Sequence, residues 1–261
     1  MRKVRAAQPA PVPTRVDLHV KILDDRIVRR AKARGIDVLV YAPHFTRLPA
    51  IRERAAAFSD GELLVVPARE IFTGTWRNRK HVLGLGLSEQ IPDFISLEGA
   101  MDALDRTAGA TLAPHPEFLT VSLDESDLRQ YENVIDAVEV YNPKHLPRHN
   151  AAARRLAGSL DFPAFGSSYA HLPWTVGDVW TRFDRDVETA DDLVAAIADG
   201  ADRVVEYRNG VGHRVRSALE MAHLGFENTW EKVDRLLLSG MEATHPDHIA
   251  YDGAFDDVSV Y

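Results

Sequence analysis

The residues best equipped for chemistry in this chain are imidazoles and carboxylates that close or open short apolar runs. His19 ends VDLH, His44 follows VLVYAP, Glu70 ends LLVVPARE and His81 opens HVLGLGL. His115 follows TLAP, Glu139 and Asn142 lie in AVEVYN, and His171 ends FGSSYAH. The chain has 11 His and no Cys, which excludes thiolate sites, cysteine nucleophiles and disulfides. A metal site here must use His, Asp and Glu, the donors that suit hard or borderline divalent ions. Any one of these histidines is equally well explained by a hydrogen-bonded place in a core or loop. Their common position relative to the apolar runs points instead to one metal-centred site. Residues 63–87 carry the densest signal: a strand delivering Glu70 into a loop, a basic turn of Arg77, Arg79 and Lys80, and a second strand beginning at His81.

The elements that must position these groups follow from periodicity and punctuation. Apolar runs predict strands at 15–20, 36–42, 63–66, 81–87, 110–114, 136–142, 163–167 and 202–208. Helices are predicted at 24–34, closed by Gly35, and at 49–58, with Pro49 in the first turn. Further helices follow at 96–108 and 189–200, capped by Ser96 and Thr189, and at 123–131 and 148–160. Two more, at 213–226 and 229–240, precede an irregular tail. Strands alternating with helices predict a parallel or mostly parallel sheet. No G-x-G-x-x-G or G-x-x-x-x-G-K-[ST] follows the first strand, so a barrel fits better than an open nucleotide-binding sheet, with the site at the carboxyl ends of the strands. The Pro/Ala-rich residues 1–14 are expected to be a flexible lead-in. Residues 15–261 are expected to form a single domain, of which 209–261 is a helical extension and tail.

Composition narrows the partners. The chain has 261 residues, 45% of them hydrophobic, enough for a full core, and no apolar run near the roughly 20 residues that span a bilayer. A formal net charge of −8 argues against a nucleic-acid coat, although a short nucleotide substrate remains compatible. A cytoplasmic protein without membrane contact is expected; oligomeric state is not legible. Trp174, Trp180 and Trp230 read as packing, because no basic groove accompanies them. His145, His149, His213, His223, His245 and His248 are set aside; the pair His213 and His223 lacks a suitable acid nearby in sequence.

The segments VDLHV, VLVYAPHFT, VVPAREIFTG, HVLGLGL, TLAPHPEF, AVEVYN and FGSSYAH resemble, in order, the motifs of the PHP (polymerase and histidinol phosphatase) domain. The resemblance covers roughly residues 15–180. It implies a distorted TIM-like (β/α)7 barrel with C-terminal helices, binding zinc, manganese or iron. It also implies a metal-dependent hydrolase of phosphomonoesters or phosphodiesters that uses metal-bound water as the reacting group. The metal ligands it implies are His19, His44, Glu70, His81, His115 and His171, with one or two divalent ions per chain.

The departures from the family pattern concern the same site. His-x-His reads His19-Val20-Lys21, so an ammonium replaces a ligand, and the late Ser-Asp-x-His reads Ser168-Tyr169-Ala170-His171, so a phenol replaces a carboxylate. Asp24 or Asp25 could substitute for a loop ligand. Glu70, His81 and His115 match one whole metal position. Lys21 is expected to occupy the space of a lost ion and to contact Glu70 or a substrate phosphate. Arg77, Arg79, Lys80, Lys144, Asn142 and Tyr169 are candidate contacts for a small phosphorylated substrate. The alternative reading is a catalytically impaired PHP-like binding or regulatory module. A barrel hydrolase of C–N bonds ranks lower, for want of a strand-end Asp to act as base.

Overall fold

A computed structural model of the chain describes residues 12–260 apart from residues 76, 118–120, 214 and 224–241. The helix expected at 229–240 and residues 1–11 of the expected lead-in lie outside the described residues. Thr14, placed by sequence in that lead-in, begins the first strand instead. The elements run β1 (Thr14–Val20), α1 (Asp25–Arg34), β2 (Val38–Tyr41), α2 (Leu48–Phe58), β3 (Leu64–Thr73), β4 (Lys80–Leu85), α3 (Leu97–Thr107) and β5 (Ala110–Ala113). They continue α4 (Glu125–Gln130), β6 (Ala137–Tyr141), α5 (Pro147–Ser159), β7 (Ala164–Gly166), β8 (Val179–Phe183), α6 (Ala190–Ala198) and β9 (Arg203–Tyr207). Residues 215–223 add a C-terminal helix. Local chemistry sets the helix ends. Asp24 accepts from the amides of Arg26 and Ile27, Gly35 turns left-handed at φ 70°, and Asp124 and Thr189 head capping boxes.

The strands form one nine-stranded sheet in the order β7-β6-β5-β4-β3-β2-β1-β8-β9. Its two ends approach each other, because the Thr181 hydroxyl on β8 donates to Gly166 O and accepts from Gly166 N, each at 3.0 Å. The result is the barrel-like α/β architecture the sequence implies, with a correction in strand direction. Four of the eight pairings are antiparallel: β1–β8, β3–β4, β4–β5 and β8–β9. Parallel strands need a crossover of a dozen or more residues, and the short link between Thr73 and Lys80 leaves only a hairpin. Glu70 therefore sits inside β3 opposite Leu83, and not in the loop expected for it.

The inward face of the barrel changes character along its length. At one end Val16, Val38, Val66, Leu85, Ala110 and Ala137 pack against Leu193, Ala196 and Ile197 of α6, which plugs the barrel. The i, i+2 alternation continues Val66, Ala68, Glu70 on β3 and Ala137, Glu139 on β6, and on the reversed β4 it runs Leu85, Leu83, His81. That reversal is why His81 opens its strand while the other donors close theirs. On β1 simple alternation from Val16 and Leu18 would aim Val20 inward. A register shift between Asp17 and Val20 sends Val20 outward, into the layer of Ile27 and Ile51. The same shift brings His19 and Lys21 to Glu70.

Gly166 is required where the barrel ends meet. A Cβ there would lie 2.5 Å from Val205 Cγ1 and 3.2 Å from Tyr141 O. Gly166→Ala is expected to cost about 1–3 kcal/mol by overpacking, read as a lower urea midpoint at unchanged slope. Residues 242–260 return to the barrel wall. Asp93 N donates to Thr244 O, Ser96 N to Val258 O and Val260 N to Phe94 O, while a Cβ on Gly99 would meet Val258 at 2.7 Å.

Candidate metal centre

Glu70 is the hub. It is fully buried, and its Oε1 lies 3.3 Å from His81 Nδ1, 3.3 Å from His115 Nε2 and 3.8 Å from His19 Nε2. Its Oε2 lies 3.1 Å from His44 Nε2 and accepts a hydrogen bond from Lys21 Nζ, which also donates to Ala42 O at 2.7 Å. Both ring nitrogens of His19 and Nε2 of His81 are buried and make no hydrogen bond, while His81 Nδ1 and His44 Nε2 face the Glu70 carboxylate. Unbonded buried nitrogens are costly unless something else takes their lone pairs. Donor atoms of Glu70, His81 and His115 all lie within 4.8 Å of one another. This group fits a divalent cation: two imidazoles and a carboxylate suit zinc, manganese or iron.

The electrostatics agree with that fit. Burial drives His19, His44 and His81 below the ordinary imidazole value, His44 to about 4, and the neighbouring Lys21 ammonium adds to it. These rings are neutral near pH 7, the form that binds metal. Burial alone would raise Glu70, but Lys21, foremost among the opposing influences, holds its carboxyl well below the usual range. Behind the hub, His115 Nδ1 lies 3.1 Å from Ser122 Oγ, which turns Nε2 toward Glu70.

Tyr169 lies at the centre of the group. Its ring centroid is 4.8 Å from His19, 4.8 Å from His171 and 5.4 Å from His115, with Lys144 Nζ at 4.6 Å and Lys21 Nζ at 5.6 Å. Its backbone is left-handed at φ 48°, as is that of His115 at φ 34°, a cost that side-chain-bearing residues meet at constrained sites. His171 packs edge-on to His44 at 5.4 Å, and burial followed by the Lys144 charge keeps it well below the ordinary imidazole value.

Other sequence candidates occupy different places. Glu139 accepts from His115 N at 2.8 Å, from Ser167 Oγ at 2.6 Å and from Asn142 Nδ2 at 3.2 Å, so it braces the backbone behind the donors. Asn142 is fully buried, and its Oδ1 accepts from Lys144 N. Lys80, expected at the rim, is tied to Asp124, the cap of α4, and to Asp127 in its first turn. Arg79 lies over the Phe94 ring at 4.8 Å, and Arg77 is exposed on the β3–β4 turn. Asp24 is occupied as the cap of α1, and Asp25 is exposed in its first turn.

Three groups escaped the sequence reading. Asp17 is fully buried and accepts from Ser168 N at 2.9 Å and Gly177 N at 3.3 Å, fixing the start of the Tyr169 loop; burial raises its carboxyl to about 7. Glu220, on the C-terminal helix, is fully buried 2.8 Å from Lys144 Nζ and accepts from His171 N and Thr175 Oγ1. His145, set aside by sequence, is buried with its ring 6.2 Å from His115. The acid judged missing for His213 is Asp178, at 3.3 Å, which also meets Arg30, Arg34 and Arg216. Asp17 had a legible signal in the alternation V-D-L-H. Glu220 had none, because its partners are remote in sequence.

A family model described as PHP-associated matches residues 147–201. Over that span the chain is similar to the PHP-associated family. An uncharacterized protein of Methanocaldococcus jannaschii is 31% identical over 136 residues, covering 49% of this chain and 55% of the relative. The chain thus spans about half the length of that relative. PsfC from Pseudomonas syringae PB-5123 superposes with a TM-score of 0.61 at 20% identity, over 81% of this chain and 99% of PsfC. A lesion-specific endonuclease from Pyrococcus furiosus superposes with a TM-score of 0.56 at 15% identity, over 74% of this chain and 58% of the endonuclease. These two share the fold of this chain. Among the described residues no helix is long and apolar enough to cross a membrane.

Proposed function

We propose that the protein is a metal-dependent phosphoesterase that holds one divalent ion at Glu70, His81 and His115, with His19 and His44 beside it. The observation that carries this reading is the convergence of buried imidazole nitrogens from His19, His44, His81 and His115 on a single carboxylate. When bound, a zinc, manganese or iron ion there supplies Lewis acidity, lowering the pKa of water and offsetting phosphoryl charge. The chain's own residues do the rest. Glu70 is ionised and the rings of His19, His44 and His81 are neutral near pH 7, so these donors need no deprotonation. Lys21, hydrogen-bonded to Glu70 Oε2, is a fixed cation in place of a second ion, and a substrate phosphate reaching it gains a charge-assisted hydrogen bond. Lys144 offers a second positive charge across the Tyr169 ring. Ser122, Glu139 and Asp17 hold the donors and the Tyr169 loop in register.

The fold likeness to an endonuclease leaves open which phosphoesters are taken. The net charge of −8 favours small phosphorylated molecules over a long polyanion. The test is elemental analysis of full-length, chelator-free protein incubated with manganese or zinc, followed by a screen of phosphomonoesters and phosphodiesters. About one ion per chain together with metal-stimulated release of alcohol or phosphate is expected, as in other sites of this chemistry. Absence of both metal uptake and hydrolysis would overturn the reading in favour of a PHP-like binding or regulatory module.

A further inference from the structure

The donors of the candidate centre are almost wholly buried, so a substrate needs an approach to Lys21 and His171. A cavity of about 840 Å³ has both residues in its lining. It lies between the segment following β1 and one face of α2. Ala50, Glu53, Arg54 and Ala57 line it at i, i+3, i+4 and i+7, which is one stripe of a helix. Ile51 and Ala55 face the other way, into the core. The two alanines leave the stripe unfilled at each end, so the space is a consequence of sequence. Leu23, Tyr41 and Phe58 give the cavity apolar walls.

The charges at the mouth are unevenly committed. Arg26 is paired with Asp24, and Arg54 donates to Leu23 O while lying over the Phe58 ring. Glu53 is exposed on the lining stripe, an acceptor for hydroxyl or amino donors. The volume lies within the roughly 300–1,000 Å³ typical of small-molecule sites. A phosphate alone would leave most of it empty.

We propose that this cavity, with Lys21 and His171 in its lining, seats the organic group of the substrate: a bulky, ring-bearing alcohol of nucleoside size with hydroxyl or amino donors, esterified to phosphate. The apolar walls take the ring, Glu53 takes the donors, and the phosphate is carried to Lys21 and His171. The proposal deepens the phosphoesterase reading and rests on it for the placement of the phosphate.

The experiment uses the full chain with added manganese and three probes: ethyl phosphate, naphthyl phosphate and adenosine monophosphate. Each is followed by calorimetric binding and by turnover, in the wild type and in Ala57→Trp and Ala50→Trp. Both alanines are exposed on α2, so neither indole disturbs the core. The ring-bearing esters are expected to bind the wild type at least roughly tenfold tighter than ethyl phosphate, and Ala57→Trp or Ala50→Trp to erase that advantage while ethyl phosphate binding and metal content stay unchanged. Equal binding of all three probes to the wild type would overturn the proposal, as would an advantage that survives in both variants. Size-dependent binding lost in the variants but without turnover of any ester would sustain the cavity assignment and sink the hydrolase reading. Hydrolysis indifferent to probe size and to both variants would do the reverse.

Discussion

Glu70→Gln will lower metal content from about one ion per chain toward none and will destabilise the apo protein by roughly 3–5 kcal/mol, the range for breaking a buried ion pair. The two effects share one cause. Glu70 is the only carboxylate in the described donor group, so its amide leaves an ion facing neutral ligands. Glu70 is also the partner of Lys21, an ammonium that is 6% exposed and whose burial already pulls its pKa below the ordinary lysine value. With the carboxylate gone, that charge is left with neutral acceptors, the Ala42 carbonyl and the glutamine amide oxygen. Elemental analysis reads the first effect and urea unfolding of metal-free protein the second. The double variant Lys21→Met/Glu70→Gln is expected to recover much of the lost stability and none of the metal, since methionine fills the site without a charge. If Glu70→Gln is no less stable than wild type, Lys21 does not depend on Glu70 in the way the geometry requires.

Glu220→Ala will cost a similar 3–5 kcal/mol and will loosen two segments far apart in sequence. Glu220 is buried against Lys144 and binds the backbone at His171 and the hydroxyl of Thr175, so the C-terminal helix is fastened to the loop that carries Tyr169. Without it Lys144 loses its carboxylate, retaining its bond to Tyr169 O. Hydrogen exchange is expected to quicken in residues 168–175 and 215–223 together, with β3 and β4 unaffected. Glu220→Gln, which keeps the acceptor but not the charge, should fall between wild type and alanine. Exchange confined to the C-terminal helix would show that the helix is anchored elsewhere, for instance through Asp178 and Arg216.

Much of this site was legible because strand-end position is a property of local sequence. His44, Glu70, His81 and His115 each stand at a fixed step from an apolar run, and the barrel brings those steps together. Lys21 drew notice by comparison with the His-x-His of the resembled motif, and its ammonium does meet Glu70. What escaped depends on distant partners. The strand Val179–Phe183 follows Pro173 and Gly177, reads as a continuation of a loop, and becomes a strand only by pairing with β1 and β9. Glu220 looks like an ordinary helical glutamate until Lys144 is placed beside it. The left-handed turns at His115 and Tyr169 have no glycine to announce them.

The pairing of β1 with β8 also bears on how the protein is made. Thr14 bonds to Arg185, 171 residues later, and β1 finds its antiparallel neighbour only in that region. At about 5–20 residues per second, a ribosome leaves that edge of β1 without its strand for on the order of ten seconds or more after it emerges. During that interval the apolar Val16 and Leu18 sit beside an unfilled row of backbone donors and acceptors. Slowed translation before Val179 is therefore expected to lower the soluble yield more than the same delay after Tyr207.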